Sequence, residues 1–160
     1  MSRIPRSQEH LKAAFTAEAA SAARFRAYAA RAEQDGLPNL ARRWLRLAAV
    51  KDRLAIELLV AAEQVRGLDA DLATAIAEER YENDVLYPKM IRDVEEPHVR
   101  ALLEQVLAEQ RRHLDTLDAV RRQLNAAQGD VQLPPEVDEG SAPAAALAAG
   151  AARTTTAASH

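Results

Sequence analysis

Glu79-Arg80-Tyr81-Glu82-Asn83-Asp84-Val85-Leu86-Tyr87-Pro88 holds two carboxylates three residues apart and a proline six residues after the second. Leu72, Ile76, Glu79, Glu82 and Leu86 recur at intervals of three and four, which marks one face of an α-helix. Both carboxylates therefore lie on the face that also carries the apolar residues. Pro88 inside such a run costs about 3 kcal/mol and frees the carbonyl of Asp84. A proline there is rare enough to mark the segment as a special piece of helix.

The same period extends in both directions. Leu11, Phe15, Glu18, Ala22, Phe25, Ala29 and Ala32 form one stripe, and Leu40, Trp44, Leu47, Lys51, Leu54, Leu58, Ala61 and Val65 a second. Val99, Leu103, Val106, Gln110, His113, Leu117 and Leu124 form another beyond Pro97. Gly36, Gly67 and Gly129 each follow a periodic segment, where a residue at positive φ closes a helix. Asn39 suits an N-cap and Pro97 a first helical position. The expectation is four helices at about 8–35, 40–66, 72–95 and 97–127, packed as an all-α four-helix bundle. Residues 1–128 form the helical domain, and 129–160, with Pro134-Pro135 followed by Ser, Ala and Thr, a disordered tail.

Composition agrees. The 160 residues include 36 alanines and 19 leucines but only 5 glycines, a balance that belongs to long helices. The absence of cysteine excludes disulfides, thiolate metal sites and cysteine nucleophiles. A net charge of −3 argues against a general phosphate-backbone binder, and six aromatic residues make no base-stacking platform. The arginines at 42, 43 and 46, at 111 and 112, and at 121 and 122 are offset by interleaved acids, so they read as solvated faces. The N-terminus lacks the apolar core of a secretory signal, and Leu58 to Ala62 is far too short for a membrane span. A cytoplasmic protein that binds neither nucleic acid nor membrane is expected.

Every stripe is interrupted near its middle: by Glu18, by Lys51, by Glu79 with Glu82, and by Gln110 with His113. Charges at the centre of a bundle must be paired or bind metal. Either outcome satisfies the pattern.

Glu79 to Pro88 resembles the E-x-Y-E-x-x-x-x-Y-P segment of rubrerythrins, in the ferritin-like superfamily, and Glu18, Arg24 and Phe25 fit the first helix of that family. The resemblance spans about residues 8–125. It implies a ferritin-like bundle and a diiron site with one Glu on helix 1, E-x-x-H on helix 2, E-x-x-E on helix 3 and E-x-x-H on helix 4. Carried over by position, Glu18, Glu79, Glu82 and His113 are kept as metal ligands. Lys51 and Leu54 stand where the helix 2 ligands belong, and Gln110 stands where helix 4 should supply a carboxylate. An ammonium does not ligate while protonated, and leucine does not ligate at all.

Three carboxylates and Lys51 leave a charge that one divalent Fe or Mn ion would neutralise, with His113 as a neutral ligand; two ions would leave an excess in a low-dielectric core. Alternatively no metal binds, and Lys51 pairs with Glu18 or Glu82. Glu109, one turn before His113, is a further oxygen donor if the helix rotates slightly. The rubredoxin module that usually feeds electrons to rubrerythrins is missing with the cysteines, so redox turnover would need an external donor. The short connection around Gly67 to Asp71 rules out a long crossover, leaving an up-down-up-down bundle or helices exchanged between chains, with a homodimer preferred. The expected function is a degenerate rubrerythrin-like scaffold, sensor or partner-binding module; the tail has the composition of a flexible segment that could carry a docking tag for a protein partner. The alternative is an active peroxide reductase or iron oxidase.

Overall fold

The computed structural model describes residues 6–126 and 129–132, and all their regular structure is helical. The helices are α1 (Arg6–Gln34), α2 (Pro38–Ala61), α3 (Leu68–Tyr81), a π-turn (Glu82–Leu86), α4 (Tyr87–Asp93) and α5 (Pro97–Ala126). With α3, the π-turn and α4 read as one interrupted rod, four helices stand where four stripes place them. The chain forms two compact units that divide between Val65 and Arg66, one built on α1 and α2 and the other on α3 to α5.

The first unit is an antiparallel hairpin. Its tight connection starts at Gly36, whose φ of +73° places it in the left-handed region. Gly36 N–H donates to Glu33 O and Leu37 N–H to Ala32 O, the paired bonds that satisfy the last carbonyls of a helix. The ring of Pro38 then presets the first helical φ, so α2 begins at the proline itself, with Leu37 as its N-cap. Asn39 is therefore inside the helix, and its side-chain oxygen accepts from Arg42 instead of capping.

Alanine makes the seam. Ala22 and Ala29 on α1 and Ala41, Ala48, Ala55 and Ala62 along α2 are buried, and those on α2 recur every seventh residue. Methyl-sized side chains let two helix backbones approach closely, toward the short end of the usual interaxial range of about 8–10 Å. The leucine stripe of α2 lies beside that seam. Leu40 and Leu47 are exposed and Leu54 and Leu58 half-buried, with Trp44 packed against Ala29, Ala32 and Ala41. Trp44 meets Phe25 at a tilt and Tyr28 edge-on, with ring centroids 5.1 and 5.2 Å away.

α2 stops about one turn before the expected end near residue 66. Glu63 sits at φ +57°, with Glu63 N–H on Val60 O and Gln64 N–H on Leu59 O, so a glutamate does what Gly36 does at the end of α1. Gly67 instead opens α3. At φ +140° and ψ 162° it occupies a region open essentially to glycine alone. The Asp71 carboxylate accepts from the N–H groups of both Arg66 and Gly67, which fixes this entry.

In the second unit the α3–α4 rod runs antiparallel to α5 around Ile76 and Leu107. Pro88 does not simply kink an α-helix. The π-turn precedes it, and Tyr87 N–H bonds Glu82 O, one residue farther back than an α-helix would reach. Pro97 is the first residue of α5, as its position predicts. Of the expected tail 129–160, residues 133 onward lie outside the described residues; within its first four, Gln132 N–H donates to Gln123 Oε1 of α5.

Candidate functional site

The polar residues predicted from the stripes fall into two groups, one in each unit. In the first unit Lys51 Nζ stands 2.8 Å from Glu18 Oε2, an ion pair between α1 and α2 beside the alanine seam. That oxygen is closed to solvent and has no aligned hydrogen-bond donor. Lys51 thus fills with its own charge the place where a cation would meet Glu18. Leu54, one turn further along α2, is half-buried and offers no donor atom.

In the second unit the π-turn brings Glu79, Glu82, Asn83, Gln110 and His113 together. Gln110 Nε2 donates to Glu82 Oε2 at 2.5 Å, which turns Gln110 Oε1 toward His113 Nδ1 at 3.0 Å. An amide oxygen accepts only, so Nδ1 carries the proton and the lone pair of a neutral His113 lies on Nε2. Gln110 stands where a carboxylate was expected, yet it links Glu82 to His113 and sets the tautomer. Ligating histidines are commonly oriented by such a bond.

Glu79 faces the same histidine, with Oε1 3.8 Å from His113 Nδ1. Its other oxygen, Oε2, is buried without a partner. Burial pushes the Glu79 carboxyl above the ordinary carboxylate range; His113 opposes this, while Glu82 and Glu78 add to it. Glu109, by contrast, is exposed and held by Arg112 on the same helix.

Asparagine at 83, between Glu82 and Asp84, reads in the sequence as a surface residue. It is 5% exposed. Its Nδ2 donates to Glu79 O at 2.7 Å and to Gln110 O at 3.2 Å, tying the π-turn to α5, while its Oδ1 is buried and unpartnered. The proline six residues after Glu82 was the available signal that this backbone departs from a regular helix.

Among the described residues, no group of three or more His, Asp and Glu side chains is gathered closely enough to hold a metal ion. The residues present do not fit a two-metal centre: an ammonium sits on Glu18, leucine follows it, and an amide replaces a carboxylate on α5. The orphaned Glu79 and Asn83 oxygens and the free Nε2 of His113 are the donor types that a single divalent cation takes. No family model matches the chain, and no curated protein or solved structure matches it either. No helix among the described residues is long and apolar enough to cross a membrane.

Proposed function

We propose that this chain is a degenerate rubrerythrin-like protein of the ferritin-like kind, as a homodimer. It takes one divalent Fe or Mn ion or none, and serves as a scaffold, sensor or partner-binding module. The observation that carries the reading is the Lys51–Glu18 ion pair, in which an amino acid supplies the positive charge of a lost metal. The Glu82–Gln110–His113 chain supports it from the other unit, since it retains an oriented imidazole while giving up one carboxylate. When bound, a single ion would supply Lewis acidity there, and Glu79, Glu82 and His113 would have to draw closer than they stand to hold it. Glu82 and Gln110 would orient the imidazole, and Pro88 would keep the backbone open at the π-turn.

Metal analysis of the full chain after aerobic Fe(II) loading tests this. One equivalent of iron or less per chain is expected. Two equivalents with an oxo-bridged absorption band would establish the active iron oxidase or peroxide reductase instead. Lys51→Glu combined with Leu54→His should raise the iron content; no gain in that variant would overturn the ligand assignment.

A further inference from the structure

The arginines at 42, 43 and 46 stand apart from the other cation groups of the chain. The sequence reads all three arginine groups as offset by acids, and the structure agrees for Arg112, which holds Glu109, and for Arg121, which holds Asp118. On α2 it does not. No acid lies between Pro38 and Lys51. The acids that flank this stretch in the sequence, Asp35 and Asp52, are engaged by Arg31 and Arg26. Arg42 reaches only the neutral side-chain oxygen of Asn39. Among the described residues, no carboxylate pairs with Arg42, Arg43 or Arg46.

The three arginines are exposed, and with Asn39, Leu47 and Val50 they line an open groove of about 440 Å³. Leu47 and Val50 are exposed as well, so apolar surface and uncompensated positive charge occur together. The partner that this surface lacks is an acidic stretch of polypeptide. Residues 133–160, which lie outside the described residues, contain three acids, Glu136, Asp138 and Glu139, gathered in four consecutive positions; their only basic side chains besides His160 belong to Arg153. Three negative charges meet three positive ones. The spacing agrees as well. Arg42 to Arg46 is a rise of about 6 Å along a helix, and alternate residues of an extended chain, such as Glu136 and Asp138, stand about 6.6 Å apart on one side.

We propose that the acidic run at 136–139 docks on the Arg42–Arg43–Arg46 groove of the same chain. The covalent link favours this occupant over a separate acidic protein. Exposed ion pairs are individually weak, so three of them do not hold a free partner. A tethered segment is present at roughly millimolar effective concentration, where a weak contact becomes populated. The contact covers the one arginine group that the helices leave uncompensated, and it holds whether or not the cluster on α3 and α5 takes a metal.

The test is paramagnetic broadening in the full-length chain. The protein has no cysteine, so Ser141→Cys offers a single site for a nitroxide, two residues beyond Glu139. In ¹⁵N-labelled protein the amides of Arg42 to Val50 should lose most of their intensity, and those of Ile56 to Ala61, further along α2, markedly less. Glu136→Gln with Asp138→Asn and Glu139→Gln should abolish the effect, and about 0.5 M NaCl should weaken it strongly. Arg42→Glu with Arg46→Glu should abolish it too, and adding Glu136→Lys and Asp138→Lys should bring it back. No broadening of α2 in the spin-labelled wild type overturns the proposal, and so does broadening that survives neutralisation of the three acids. Broadening that arises only in a mixture of spin-labelled and ¹⁵N-labelled chains places the contact between copies and overturns it as well. If the tail has no effect while inorganic phosphate shifts the side-chain Nε signals of these arginines, the groove belongs to another anion. The acid substitutions lie beyond α5, so they decide the matter even where the arginine variants do not fold.

Discussion

Replacing Lys51 with methionine asks whether an ammonium does stand in for a metal. The substitution keeps the unbranched apolar stem along α2 and deletes only the charge. What it leaves is Glu18 Oε2, sealed from solvent, with no donor in its place. The side chains of Lys51 and Glu18 are 30% and 22% exposed, which places the pair between two measured regimes. Exposed pairs contribute about 0–1 kcal/mol. Stripping one partner from a fully buried pair costs about 3–5 kcal/mol. An intermediate loss of about 2 kcal/mol follows, lowering Tm by roughly 4–8 °C for a chain of this size. Thermal and urea unfolding followed by helical circular dichroism, in chelator-treated buffer, measures it. Glu18→Gln in the Lys51→Met background should recover at least half, because no charge then remains to be desolvated. The double-mutant cycle should give a coupling of about 1 kcal/mol that largely survives 0.5 M salt. If Lys51→Met melts at or above the wild-type temperature, and the coupling stays below about 0.3 kcal/mol, the ammonium does not hold Glu18 and the substitution argument collapses.

Three further outcomes are expected. Ala48→Leu forces a larger side chain into the closely approached seam and should cost about 1–3 kcal/mol; an unchanged urea midpoint would show that the helices are not in close contact at Ala48. Glu63→Gly relieves a glutamate at φ +57° and should stabilise by about 0.5–1 kcal/mol, the left-handed penalty less the entropy of the freer unfolded chain; a lower Tm would contradict the helix end described for α2. The raised pKa of Glu79 means that the folded state holds its proton to higher pH than the unfolded chain. Stability is therefore lost as pH rises from the ordinary carboxylate value of 4.5 through the raised one. Glu79→Gln should remove that part of the decline and be the more stable protein at pH 7; parallel pH profiles for the two proteins would refute the burial of this carboxyl.

The helices were legible because their signals are local: a period of three and four, Gly36 after α1, and Pro97 at the start of α5. Misplaced features all depend on something that a one-residue reading does not weigh. Alanine is apolar but weak on any hydropathy count, so the leucines beside it drew the stripe on α2, whereas close backbone approach selects the smaller residue for the seam. A helix end at positive φ is written in glycine at residue 36 and in glutamate at residue 63, and only the first announces itself. Gly67 marks the beginning of α3 for the same reason that it was read as an end: both roles need unusual dihedrals. In the site, Glu18, Lys51, Glu79, Glu82, Gln110 and His113 were identified as interruptions, and the structure pairs Glu18 with Lys51 and groups the remaining four within the second unit. The linking role of Gln110 and the burial of Asn83 were not legible, because both depend on how α5 lies against the π-turn.

The π-turn between Glu82 and Leu86 contains one residue more than an α-helix would use for the same advance. Removing any single residue from it restores regular winding and turns everything beyond it by about 100° relative to what precedes. The polar cluster is thereby coupled to a one-codon insertion. A lineage could acquire or discard it in a single event of replication slippage, with the hydrophobic repeat on either side left intact but out of phase.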